Sequence, residues 1–405
     1  MVAHSGEPET PVTVAEAGGE AGKGDDAVAA PAKIPGAPIP EMIEQKTSIS
    51  TSRGFSRWLL GQNVAIAFTS YQTGQLFLVG VLPNGKVLFH QSHFPRAMGV
   101  QATRERLYLM SNVNIWRLEN VLRPGQKAND QHDVFYMPRT AQYTGDLDGH
   151  EIALDKQRRI VFVNTKYSCL AMPSATHSFR PIWKPPFISK LVPEDRCHLN
   201  GLAIDEGVPR YVTAVSRSDA VSGWRERRWE GGIVMDVTTD EVVVDDLSMP
   251  HSPRVHKGEL YVLDSGRGYL VRIDRKTGAK TDIAFCPGFL RGLSFTGRFA
   301  VVTTSLPRDG VFKDLELQKN LETRDSDPKC SVYVIDLQSG GIAEWIELSG
   351  HITELFDTAV IENCRCPSSV PVKSPNIATF ITIEGGPAPS GAAAATKASK
   401  TTASA

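Results

Sequence analysis

A phrase repeats with drift along this chain: HEIALD at 150–155, NGLAID at 200–205, HSPRVH at 251–256 and RGLSFT at 291–296. Each copy opens on a polar side chain, passes through small or apolar residues and runs into a β-rich stretch such as RRIVFVN, PRYVTAV, GELYVLD or GRFAVVT. The phrases recur about every 40 to 55 residues, with several short strands apiece. Such a period constrains the fold to radial repetition, in which four-stranded sheets pack around a central channel. Equivalent residues of successive sheets then converge on one axis. The leading side chains His150, Asn200, His251 and Arg291 are therefore expected at one mouth of that channel.

The strands fall into groups. AIAFTSY, QLFLVGV and KVLFHQS form the first, joined at QTG and PNG, where Gly and Asn tolerate the positive φ of a hairpin turn. The second runs AMGVQAT, RLYLMSN, NIWRLEN and VFYMP; the third is EIALD, RIVFVNT and SCLAMPS, with WKPPF as a loop; three more begin at GLAID, SPRVH and GLSFT. The first group has only three clear strands, and ITELFDTAVIE at 352–362 is left over. Joining the ends predicts an all-β, six-bladed β-propeller closed by pairing of N- and C-terminal strands, which removes the exposed sheet edge. Closure brings Glu354 to the mouth beside His150, Asn200, His251 and Arg291, with Arg96 or Ala97 of the second blade at that level. A short helix or turn carrying Trp58 and Leu59 precedes the first strand.

The propeller is expected over 49–370. Residues 1–48 and most of 371–405 are rich in Ala, Gly and Pro without a core-forming period, the signature of flexible tails. A formal charge of −1, with both signs interspersed, offers no field for nucleic acid or an anionic membrane. The N-terminus lacks the apolar core of an export signal and no run reaches membrane-spanning length, so a cytoplasmic protein is expected. Six cysteines in a chain this long are too sparse for a disulfide framework and read as mostly reduced thiols.

His150, His251 and Glu354, with Asn200 as a weaker amide, form a candidate metal centre: three strong ligands that leave positions open for water or substrate. The plainer alternative is a set of polar residues hydrogen-bonding one another along a wet channel. His198 and Asp148 stand two residues before their blades' leading positions, a second ring suited to general acid or base work or to holding the ligands. His93 and His351 precede other blades similarly. Arg291 is suited to clamp a substrate carboxylate or phosphate, or else to pair with Glu354. Arg254 is expected to support its blade, and Asp264 and Asn164 to satisfy turns. The loop at 216–232 combines two tryptophans with four arginines, and WKPPF adds Trp183 and Phe187. Both read as lids for an aromatic or anionic ligand or as loops anchored by their tryptophans. HEIAL has Leu154 where a zinc-protease motif needs its second histidine, and no GxSxG nucleophile motif is present.

The strings GDLDGHEIALD, EDRCHLNGLA, MPHSPR and LDSGRG resemble a widespread bacterial family of uncharacterised conserved proteins, over nearly all of 55–365. More distantly, HLNGLAID is similar to the P-N-G-L-A phrase of the senescence marker protein, gluconolactonase and regucalcin group. Those are six-bladed propellers that hold a divalent cation at the channel mouth with a Glu, an Asn and an Asp. The resemblance implies Asn200 and Glu354 as ligands, with His251 where the aspartate would stand. Histidine in place of aspartate favours zinc, iron, manganese or copper over calcium. The expected function is metal-dependent ester or lactone hydrolysis of a small-molecule substrate. The alternatives are oxidative chemistry at a His-ligated iron or copper, and a non-catalytic module that binds a protein or peptide.

Overall fold

Strands with apolar residues on both faces, such as VAIAFTS at Val64–Ser70 and FAVVTTS at Phe299–Ser305, need cover on both sides. In the structure, a computed structural model that describes residues 47–384, radial packing provides it. Blade 2 consists of Val100–Ala102, Arg106–Met110, Asn114–Asn120 and Val134–Tyr143, in that order across the sheet. Blade 3 runs Gly149–Leu154, Ile160–Asn164, Cys169–Met172 and Arg180–Trp183; blade 4 runs Leu199–Asp205, Val208–Ala214, Gly232–Asp236 and Val242–Leu247. Blade 5 runs Pro250–His256, Glu259–Asp264, Tyr269–Ile273 and Lys280–Phe285; blade 6 runs Phe289–Thr296, Phe299–Ser305, Cys330–Asp336 and Ile342–Ser349.

Blade 1 closes the ring. Its strands Val64–Ser70, Gln75–Val81 and Val87–His93 lack an inner partner until the C-terminal strand Thr358–Glu362 supplies it, antiparallel, with Ala67 opposite Ala359 and Val64 opposite Glu362. The chain is thus a six-bladed β-propeller sealed between strands from its two ends. Two short strands add to outer edges: Ser48–Thr51 pairs with Ile342–Ser349 of blade 6, and Pro367–Ser369 lies parallel to Val134–Tyr143 of blade 2. The WKPPF segment is not wholly loop, since Trp183 ends the outer strand of blade 3. Pro181 and the exposed flank of that strand suit an edge, where a missing N–H costs no ladder bond.

Period-two alternation distributes the core. Val161 and Val163 face blade 4, whereas Phe162 between them faces blade 2. Repeated around the ring, this gives six apolar clusters, each shared by two adjacent blades. The helix Phe55–Gln62 sets Phe55, Trp58 and Leu59 on one face, at the i, i+3, i+4 spacing, and buries them between blades 6 and 1. Asn63, with φ 55°, ends it in the left-handed conformation.

A buried charge network ties the inner strands together. Glu151 of blade 3 accepts the Leu202 N–H of blade 4 at 2.6 Å, the Ser252 hydroxyl of blade 5 and Arg254 Nη1 at 2.8 Å. Asp357, heading the closing strand, accepts the Val100 N–H of blade 2 at 2.9 Å and lies 3.7 Å from Arg254. Burial raises the Asp357 carboxyl to about 7, against the pull of Arg254 and with the help of Glu151. Arg254 thus supports the ring, and Asn164 caps the Tyr167 N–H of its own turn, whereas Asp264 accepts the Ser248 N–H from the preceding loop and binds Arg267 of its own turn at 3.0 Å.

The expected borders at 48 and 370 are crossed by described structure: Ser48 is in a strand, and Phe380 packs on Phe135 with ring centroids 5.6 Å apart. The expectation of flexible tails, for residues 1–46 and 385–405, lies outside the described residues. All six cysteines are free and buried, and no described helix is long and apolar enough to cross a membrane.

Candidate functional site at the channel mouth

The innermost strands start from equivalent backbone. Gly99, Gly201 and Gly292 each pack hard against the next blade: a Cβ on Gly99 would lie 2.6 Å from the His150 carbonyl, and one on Gly292 2.7 Å from Asp357. The residues just before this level are Met98, His150, Asn200, His251, Arg291 and Phe356. Four of the expected mouth residues therefore come together. Glu354 lies two residues short of the ring, where its carboxylate binds Tyr71 and Arg308, the latter at 3.0 Å. Phe356 takes its place, and Met98 stands where Arg96 or Ala97 was expected. His93 and His351 are exposed, His93 at the end of the outer strand of blade 1.

Two residues before the ring, Arg96, Asp148, His198 and Met249 share a left-handed backbone, with φ of 50°, 50°, 50° and 48°. That conformation is uncommon outside glycine and is held here by the surrounding sheet. Its effect is specific. His150 Nδ1 lies 2.9 Å from the Asp148 carbonyl, and His251 Nδ1 lies 2.8 Å from the Met249 carbonyl. A carbonyl only accepts, so Nδ1 carries the proton in both rings and the Nε2 lone pair is left free. Thr165 Oγ1, which donates to the Leu199 carbonyl, and Ser265 Oγ stand 2.8 and 3.0 Å from the same two Nδ1 atoms and reinforce the choice. Arg291 Nη1 meets His251 Nε2 at 3.3 Å, consistent with that tautomer.

Both imidazoles are neutral at pH 7. Burial brings His150 down to about 4 although Asp148 opposes it, and holds His251 well below the ordinary range, with Arg291 adding to the effect. Burial alone would raise the Asp148 carboxyl, but His150, His198 and Arg96 outweigh it and keep it below the usual value. Arg96 binds Asp148 at 2.8 Å, which makes this carboxylate a partner of Arg96 rather than a free base.

His198 is built differently. Its Nδ1 lies 2.9 Å from an Asp195 carboxylate oxygen that also accepts Trp224 Nε1–H at 2.8 Å. The indole stacks over the imidazole at 4.3 Å, and His150 packs edge-on at 4.9 Å. Asp195 thus fixes the tautomer, Trp224 fixes Asp195, and Nε2 of His198 makes no hydrogen bond among the described residues. The sequence reading placed His198 and the tryptophan loop but missed Asp195, although an acid three residues before the histidine is visible in EDRCH.

Orphan donors complete the mouth. Asn200 is buried with Oδ1 accepting from Thr213 at 2.7 Å and Nδ2 unpaired; Nε of Arg291 is also buried and unpaired. The Arg291 guanidinium lies 5.1 Å from the Phe289 ring, 5.3 Å from Phe356 and 5.9 Å from Tyr71, and burial lowers its pKa. It does not pair with Glu354, whose carboxylate Arg308 holds. A buried donor without a partner costs about 1–3 kcal/mol, which an incoming acceptor recovers. Among the described residues no three His, Cys, Asp or Glu side chains are gathered as a metal-holding group.

Fold and mouth define a six-bladed β-propeller with a polar, histidine-bearing axial site. The chain belongs to the family described as a domain of unknown function, DUF4915, which matches residues 53–370. No curated protein matches it significantly in sequence. Among solved structures it is similar to a chain of the nidogen/laminin complex, at 14% identity, covering 73% of this chain and 98% of that one with a TM-score of 0.47. It is also similar to a catalytically inactive virginiamycin B lyase from Staphylococcus aureus with quinupristin, at 10% identity, covering 75% and 99% with a TM-score of 0.36.

Proposed function

We propose that this protein is an enzyme that hydrolyses a small ester or lactone at the channel mouth, with His198 as the base. The observation that carries this reading is the Asp195–His198 dyad clasped by Trp224, beside buried donors that lack acceptors. Nε2 of His198 takes a proton from water, and the hydroxide adds to the carbonyl carbon. The negative charge that develops on oxygen meets the unpaired Nδ2–H of Asn200, while Arg291 holds the substrate's own anionic group. The imidazolium, stabilised by Asp195, returns the proton to the leaving oxygen.

A second reading retains a divalent metal, zinc, iron, manganese or copper, and the duplicated posture of His150 and His251 favours it. The His150 Nε2 is free as a ligand, whereas the His251 Nε2 would first have to release Arg291 Nη1, which stands 3.3 Å away; Asn200 would join through its oxygen only with its amide turned over, and Glu354 is committed to Arg308. Such an ion would polarise a carbonyl or acidify a bound water.

The test is turnover of a panel of carboxylate-bearing esters and lactones followed by pH-stat, in wild type and in His198→Asn. A fall of about 10²–10⁴-fold with the fold intact is expected. Unchanged turnover removes the dyad from the reaction. Elemental analysis beside the His150→Ala/His251→Ala variant decides the second reading, and a protein with neither turnover nor metal is a binding module instead.

A further inference from the structure

Above the mouth lies a cleft of about 420 Å³ between two insertions: the segment around the 3-10 turn Gly223–Arg227 of blade 4, and 306–329 of blade 6 with its helix Glu316–Thr323. The second insertion carries no obvious motif, yet it is anchored. Leu317 and Leu321 bury against Phe289 and Phe312, and the Leu317 N–H donates to the Gly266 carbonyl of blade 5 at 2.8 Å.

The lining has a pattern. Arg225, Arg228, Arg291, Arg308 and Lys313 face Asp309 and Glu354, and Glu354 is already neutralised by Arg308. Arg291 stands at the floor with an unpaired Nε; Arg228 also has a buried, unpaired Nε, although its Nη2 pairs with Asp314 at 3.1 Å. Arg225 lies over the Trp224 ring at 4.4 Å, and Lys313 forms no ion pair among the described residues. Between floor and rim the walls are apolar: Phe289, Phe312, Met249 and Leu315, with the Trp224 indole leading back to His198.

We infer that the cleft selects an amphipathic organic anion, with an acidic group against Arg291, an apolar and preferably planar body between the two insertions, and a rim of Arg225 and Lys313 that favours further negative charge. Aromatic walls reward a flat apolar body, and unpaired guanidinium donors in a secluded site reward an oxyanion over a neutral acceptor. The assignment rests on the mouth being a ligand site, but not on the chemistry performed there.

The experiment is fluorescence titration of the whole protein with anilinonaphthalenesulfonate, an aromatic anion, and with uncharged phenylnaphthylamine. We expect saturable binding of the anion, about tenfold weaker in Arg291→Gln and in Arg225→Ala/Lys313→Ala, and weaker binding of the uncharged analogue by a similar factor. The rim pair, at the surface, carries the test if Arg291→Gln fails to fold. A control is Arg158→Ala/Arg180→Ala in the separate arginine-lined groove between blades 2 and 3, which should leave binding unchanged. Equal binding of the neutral probe, indifference to the cleft variants, or loss in the control overturns the assignment. His198→Asn should bind the anion as wild type does, so lost turnover with retained binding separates the fate of the dyad from that of the ligand class.

Discussion

His150 and His251 show how a residue's role is set by its neighbour's backbone. In each case a left-handed residue two positions earlier turns a carbonyl onto Nδ1, and burial then keeps the ring neutral. A histidine whose pKa is depressed in the fold contributes stability above its unfolded pKa near 6.5, lost as pH falls towards the folded value. For His150 the window runs from about 6.5 down to about 4. Urea unfolding at pH 7 and pH 5 should therefore show wild type losing on the order of 2 kcal/mol more than His150→Gln does. An identical pH dependence in both proteins would mean the ring is solvated. The mouth was legible in sequence wherever the blade phrase was regular, at His150, Asn200, His251 and Arg291. It slipped by two at Glu354 because ITELFDTAVIE offers three acids, Glu354, Asp357 and Glu362, and the one that matches Glu151 in the repeat is Asp357, which makes Phe356 the mouth residue. Asp195 escaped because its function depends on a turn that folds an acid back onto a ring three residues on.

At the scale of elements, long two-faced strands were readable and short edge pieces were not. Val64–Ser70 and Phe299–Ser305 carry apolar residues on both faces and are buried along nearly their whole length, whereas Arg180–Trp183, Ser48–Thr51 and Pro367–Ser369 are short, polar or proline-bearing and take their conformation from the edge they join. The helix Glu316–Thr323 was not foreseen either. Its two buried leucines hold a few turns of chain over the cleft, so Leu317→Ala should act locally. Removing a buried leucine side chain costs about 2–5 kcal/mol. Hydrogen exchange over 306–324 should then accelerate at least ~30-fold, with protection of the blade strands unchanged. Uniform acceleration everywhere would show that the insertion is part of the global fold rather than a separately opening cover.

For the whole molecule, Arg254 is the centre of the ring's charge network. Its loss leaves Glu151 and Asp357 buried together without a cation. Arg254→Met should destabilise the fold by about 3–5 kcal/mol, read by denaturant unfolding. The pH response adds a signature. A carboxyl whose folded pKa is raised favours the fold while protonated, so the Asp357 contribution falls as pH rises from its unfolded value near 4 to about 7. Without Arg254 that pKa climbs further, and the variant should be hurt more at pH 8 than at pH 5. Equal loss at both would place the effect of Arg254 in packing alone.

The closing strand Thr358–Glu362 has a consequence in time. As the chain leaves the ribosome, five blades are complete while the first still waits for its inner strand, which arrives some 300 residues after its partner at Val64–Ser70. Phe356 and Asp357 are delivered with it. A nascent chain, or one cut short before this strand, holds most of the mouth's residues but no ring to aim them, so competence arrives in a single late event.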